Sequence, residues 1–131
     1  MGKKQLVLCD TNILIRILRD KNEKVMKQIE MIGEENIALS VISLCELYYG
    51  ALNKRELKQM KNALQGMKVL HIDEESSTLF ADLMLNYSIS HRLKIPDAMI
   101  AAIAITNQVL FYTENVKDFD FIPEMQLYKP K

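Results

Sequence analysis

"VLCDTNILIR" (residues 7–16) sets one carboxylate, Asp10, between two apolar runs. The run before it is short and suits a buried strand. The run after it crowds isoleucine and leucine at positions 13, 14, 15, 17 and 18, which suits a short, largely buried helix. A strand feeding straight into a helix is half of a parallel β-α-β unit. Asp10 is then either the cap of that helix or an acid presented at the end of a central strand.

The same alternation continues to the end of the chain. Strand-like runs lie at 5–9, 37–40, 67–72 and 109–113, with a weaker fifth in "MQLY" at 125–128. Helical spacing fills the intervals. Residues 42–67 carry apolar positions 44, 47, 48, 51, 52, 57, 60 and 64 and read as one amphipathic helical segment. Residues 78–87 repeat the pattern. The segment from Pro96 to about residue 108 opens with a proline suited to a first helical turn and continues in small apolar residues. The predicted class is α/β: a three-layer α/β/α arrangement around a central parallel sheet of four to five strands.

The totals bound the answer without naming it. A chain of 131 residues is expected to form a single domain over 1–131. Its 17 basic and 17 acidic residues cancel, so net charge points to no partner and only local patches matter. The longest apolar run, "AMIAAIAI", is far below the ~18 residues of a membrane span. The start "MGKKQLVLCD" lacks the long apolar core of a secretory signal, and the expected location is cytoplasmic. Cys9 and Cys45 lie in apolar runs without CxxC spacing and read as buried free thiols. The eight methionines read as gap fillers in the core.

Several polar residues share one topological address, just beyond predicted strand ends. Asp10 follows the first strand, and Glu46 lies early in the helix after the second. Asp97 begins the alanine-rich helix, while Asn115 and Asp118 follow the fourth strand. In a parallel sheet such positions converge on one crevice. Clustered carboxylates repel unless a cation sits among them, and an all-oxygen set favours Mg²⁺ or Mn²⁺ over zinc. Such an ion suits phosphodiester hydrolysis by water, since no serine, cysteine or histidine is placed as a nucleophile. Each residue also has a plain structural role: Ser43-x-x-Glu46 fits a capping box, and Asp97 after Pro96 suits a helix dipole. His91 reads as a surface residue.

The blocks "LCDTNILI", "SVISLCELYYG", "IPDAMIAAIA" and "YTENVKDF" together resemble the PIN domain family, in its short VapC-type toxin form, across essentially the whole chain. That resemblance implies a Mg²⁺-dependent ribonuclease, the toxin half of a toxin–antitoxin pair. It implies metal binding by Asp10 and Asp97, with Glu46 holding the metal or its water. Asn12 then supports the first aspartate, and Thr113 supplies a hydroxyl near the site. Many members carry an aspartate where this chain has Asn115, which leaves a second ion short of a charged ligand. One firmly bound ion is therefore expected.

For an RNA substrate, phosphate contacts are expected from Lys54, Arg55, Lys58 and Lys61 on the 42–67 segment and from Arg92 and Lys94 ahead of Asp97. No aromatic-rich stacking surface is evident. The resemblance also implies a homodimer and a small antitoxin protein that enters the acidic groove. Two other readings stand beside it. One is a catalytically weak PIN-like module that binds RNA or protein, kept open by Asn115. The other is a phosphotransfer fold, for which Asp10-Thr11-Asn12 lacks the Asp-x-Asp of the haloacid dehalogenases.

Overall fold

The computed structural model describes residues 5–131, and the basic start at 1–4 lies outside the described residues. Four parallel strands form one sheet: β1 (Val7–Cys9), β2 (Ile37–Ser40), β3 (Lys68–Leu70) and β4 (Leu110–Tyr112). Their order is β3-β2-β1-β4, so the chain builds outward from β1 on one side and returns on the other. Val7 stands level with both Ile37 and Leu110 in this register. The weak fifth strand reduces to a single parallel bridge between Phe111 and Leu127.

The period of two along each strand divides the core cleanly. Leu8, Ala38, Leu70 and Phe111 face one layer, with α5 (Glu74–Tyr87) and α6 (Ile95–Thr106) against them. Val7, Cys9, Ile37, Leu39 and Tyr112 face the other, against α1 (Thr11–Leu18), α2 (Glu23–Ile32) and α4 (Lys54–Leu64). Ala98, Ala101 and Ala102 are fully buried, so the short side chains of α6 let it approach the sheet closely. Each large side chain sealed in these layers contributes about 1.5–3 kcal/mol.

Helix α3 (Val41–Tyr49) ends sooner than the sequence pattern suggests. Gly50 closes it with an N–H bond to the Glu46 carbonyl, and Asn53 restarts the chain as the cap of α4. The single segment expected over 42–67 is thus two helices. Leu52, which fits the apolar stripe of an unbroken helix, falls in the turn and is 80% exposed. Ser40, not Ser43, caps α3 by accepting from the Ser43 amide, so the Ser43–Glu46 capping box does not form. Helix α2 was not evident from the periodic pattern; Asn22 caps it and Val25 and Ile29 anchor it. Cys9 is buried, but Cys45 is exposed, because it lies on the outer side of α3. Met60 fills the core as expected, whereas Met26 and Met31 are exposed.

Candidate metal centre

The chain leaves β1 and β4 toward opposite layers, which opens a crevice at their C-terminal ends. Asp10 and Thr113 flank it. The Asp10 amide donates to the Tyr112 carbonyl at 2.9 Å, so the first residue past β1 is pinned to the last of β4. Its side chain is almost wholly buried, with Oδ1 accepting from the Thr11 amide at 2.8 Å and Oδ2 from the Thr113 hydroxyl at 2.8 Å. Asp10 thus caps α1 while standing at the end of a central strand.

Burial pushes the Asp10 carboxyl above its ordinary value, and the negative charges of Glu46 and Asp118 push the same way. The bonds from Thr113 and Thr11 oppose them. Asp97, third residue of α6 and half-buried, is pushed up to about 6, first by desolvation and then by the charges of Asp10, Asp118 and Glu46; Lys94 offsets part of this. The charges of Glu46 and Asp118 thus reach both Asp10 and Asp97, and four acids from four segments gather at one place. Among the described residues, no three histidine, cysteine or acidic side chains stand in ready-made chelating geometry. That is compatible with Mg²⁺, which keeps several waters and takes only one or two carboxylates directly.

The donor chemistry fits such an ion. The acids and Thr113 at the crevice offer oxygen donors, the charges of Glu46 and Asp118 push up both Asp10 and Asp97, and buried Asn12 Oδ1 has no hydrogen-bond partner among the described residues. Asn12 makes no bond to Asp10, whose support comes from Thr11 and Thr113.

The turn after β4 settles which acid joins the group. The Asn115 amide donates to Thr113 Oγ1 at 3.0 Å, and Asn115 opens a short 3₁₀ turn, Val116–Asp118, through an Asp118 amide bond to its carbonyl. Position 115 thus acts through its backbone, and the turn carries Asp118 into the field of Asp10 and Asp97. Glu114 faces the other way, with both oxygens on Arg16 Nε at 3.0 and 3.2 Å, and Arg16 also bonds Asp20.

Lys54, Arg55, Lys58 and Lys61 lie exposed on α4, and Arg92 and Lys94 lie exposed ahead of α6. Of these six, Lys94 alone has its field felt at Asp97. His91 is exposed as expected, but it stacks on Phe121 at 4.1 Å with Tyr87 at its edge, an aromatic trio that the sequence pattern hid. A cleft of about 990 Å³ opens at the opposite ends of the strands, between α1, α2 and α4. It is apart from the acidic centre.

Two residues at this centre went unread in the sequence. Thr11 Oγ1 lies 2.6 Å from Glu46 Oε1 and 2.8 Å from Ser43 Oγ. Both residues sit in recognised blocks, but their contact joins α1 to α3 across 32 to 35 positions, and no local pattern encodes it.

A parallel sheet with acids gathered beyond its strand ends defines an α/β protein with a candidate divalent-cation centre. The PIN domain family matches residues 7–121, and the chain belongs to that family. It is 28% identical over 128 residues to Ribonuclease VapC2 of Rickettsia felis, covering 93% of this chain and 96% of the relative. A toxin–antitoxin complex from Klebsiella pneumoniae superposes with a TM-score of 0.79 at 28% identity, over 95% of this chain and 98% of that one. FitAcB from Neisseria gonorrhoeae gives 0.76 at 25% identity, over the same shares.

Proposed function

We propose that this chain is a Mg²⁺-dependent endoribonuclease, able to use Mn²⁺, and the toxin of a type II toxin–antitoxin pair. The observation that carries the reading is the gathering of Asp10, Glu46 and Asp118 around Asp97, whose carboxyl is pushed up to about 6 by its burial and then by those neighbouring charges. Membership of the PIN family and likeness to a ribonuclease and to toxin–antitoxin complexes support it.

In this reading Asp10, Asp97 and Glu46 hold the ion, and Asp118 stands as the fourth carboxylate in place of position 115. A bound divalent ion stabilises charge on a phosphoryl group and acidifies water. The residues do the rest. Thr113 orients Asp10 through its hydroxyl bond and opposes the upward push that burial puts on its carboxyl. Asp97, pushed up to about 6, would have to give up its proton to serve as a ligand, so ion affinity should rise with pH through that region. Lys94, Arg92, Lys54 and Arg55 contact backbone phosphates and counter the repulsion between RNA and the acids.

The partners in this reading are the RNA substrate, a second copy of the chain and a cognate antitoxin, in the cytoplasm. A guanidinium from the antitoxin would pair with the carboxylates in place of the ion. The test is cleavage of RNA during a Mg²⁺ titration, with Asp97→Asn alongside. Metal-dependent cutting that Asp97→Asn abolishes supports the reading. RNA binding without metal-dependent cutting would replace the nuclease with a binding module.

A further inference from the structure

Thr11 touches two of the four acids with two different groups. Its amide donates to Asp10 Oδ1 at 2.8 Å, and its hydroxyl reaches Glu46 Oε1 at 2.6 Å. The hydroxyl oxygen is also 2.8 Å from Ser43 Oγ. A threonine has one hydroxyl hydrogen, and an ionised carboxylate only accepts. The hydrogen of Thr11 therefore points to Glu46, and Ser43 is the donor into Thr11.

Ser43 is fully buried and its hydroxyl has this one partner among the described residues, so the direction of the chain is fixed from the inside. Ser43 is held in turn by α3, where its amide is capped by Ser40 Oγ at 3.0 Å. Glu46 itself is exposed. Without a tie its long side chain would sample many rotamers, and ordering it would fall on the binding step.

We propose that Thr11, backed by Ser43, is a positioning residue that fixes the Glu46 carboxylate relative to Asp10 and so presets the acidic centre for its divalent ion. The inference rests on reading that centre as a metal site. One residue sets the spacing of two acids carried by different helices: its amide fixes the acid before α1, and its hydroxyl fixes the acid on α3. The buried serine makes this a relay, because each O–H bond in a chain polarises the next.

The test is Mn²⁺ binding by calorimetry to the whole chain, with ion-free thermal midpoints measured on the same samples. Thr11→Val keeps the shape and the amide and loses the hydroxyl, while Thr11→Ser keeps both donors. Thr11→Val should weaken Mn²⁺ binding on the order of tenfold, the low end of what a hydrogen bond to a charged group is worth. Thr11→Ser should stay within about twofold and Ser43→Ala should weaken binding about threefold, as expected for an indirect contribution through one neutral bond.

Adding Ser43→Ala to Thr11→Val should cost nothing more, because the relay is already cut. Wild-type Mn²⁺ affinity in Thr11→Val would overturn the assignment. So would losses that add in the double variant, or affinities that track the thermal midpoints. Wild-type protein that binds no Mn²⁺ would sink the metal reading itself, and that shows before any variant is made.

Discussion

Asp97→Asn should make the ion-free protein more stable while removing its activity. Burial and three neighbouring acids lift the Asp97 carboxyl from 3.8 to about 6. A shift of about two units corresponds to about 3 kcal/mol against the ionised folded form. Because Asp97 is only half-buried, solvent screens the surrounding charges, and ~1–2 kcal/mol is the realistic penalty. The folded pKa is raised, so this stability is fully present below about 3.8 and is lost as pH climbs through about 6. Asparagine has no such loss.

At pH 8 in EDTA the variant should therefore melt higher, by roughly 4–8 °C at about 4 °C per kcal/mol for a chain of this size. The gap should shrink as pH falls toward 4. Saturating Mg²⁺ should stabilise the wild type and close the gap from the other side, since the ion binds the folded form. Thermal unfolding at a series of pH values, with and without Mg²⁺, reads all of this. An Asp97→Asn protein no more stable than wild type at pH 8 in EDTA would refute the claim that burial and the neighbouring acids penalise the ionised Asp97.

Other perturbations test separate parts of the account. Thr113→Val leaves buried Asp10 Oδ2 without its hydroxyl donor and should cost about 1–3 kcal/mol in urea unfolding at pH 8; unchanged stability would show the bond to be unimportant. Gln28 is buried on α2 and binds the C-terminal tail, accepting from Tyr128 Oη at 2.6 Å and the Lys131 amide at 3.1 Å and donating to the Lys131 carbonyl at 2.7 Å. Gln28→Leu strands those groups and should destabilise by about 1–3 kcal/mol while leaving RNA cleavage by the folded fraction intact. Thiol titration of the native protein should count one fast cysteine, the exposed Cys45. Cys9, buried in β1 and pushed up to about 12, should react only on unfolding. Two fast thiols would mean that the sheet opens.

The strands and their acids were legible because both follow from short patterns. Val7–Cys9 and residues 37–39 of β2 are unbroken apolar runs, and a parallel sheet places whatever follows them at one end. Side-chain direction was not legible. Glu114, Asn115 and Asp118 are near-equivalent candidates in "YTENVKD", and only the 3₁₀ turn and the Arg16 ion pair separate them. Gly50 and Asn53 were both visible in the sequence, yet the apolar stripe on either side hid the break they make. Cys45 lies in an apolar run but on the outer side of its helix, and the run alone does not say which side is out. The contacts of Thr11 with Ser43 and Glu46 depend on how α1 and α3 pack, which no local spacing records.

The central claim is that acids far apart in the chain gather around one divalent cation. Crystals of the protein soaked in Mn²⁺ and measured for anomalous scattering test it directly. A single strong peak bounded by the carboxylates of Asp10 and Asp97, with Glu46 and Asp118 around it, is the predicted result. No peak there, or a peak elsewhere with these four side chains apart from it, would contradict the account.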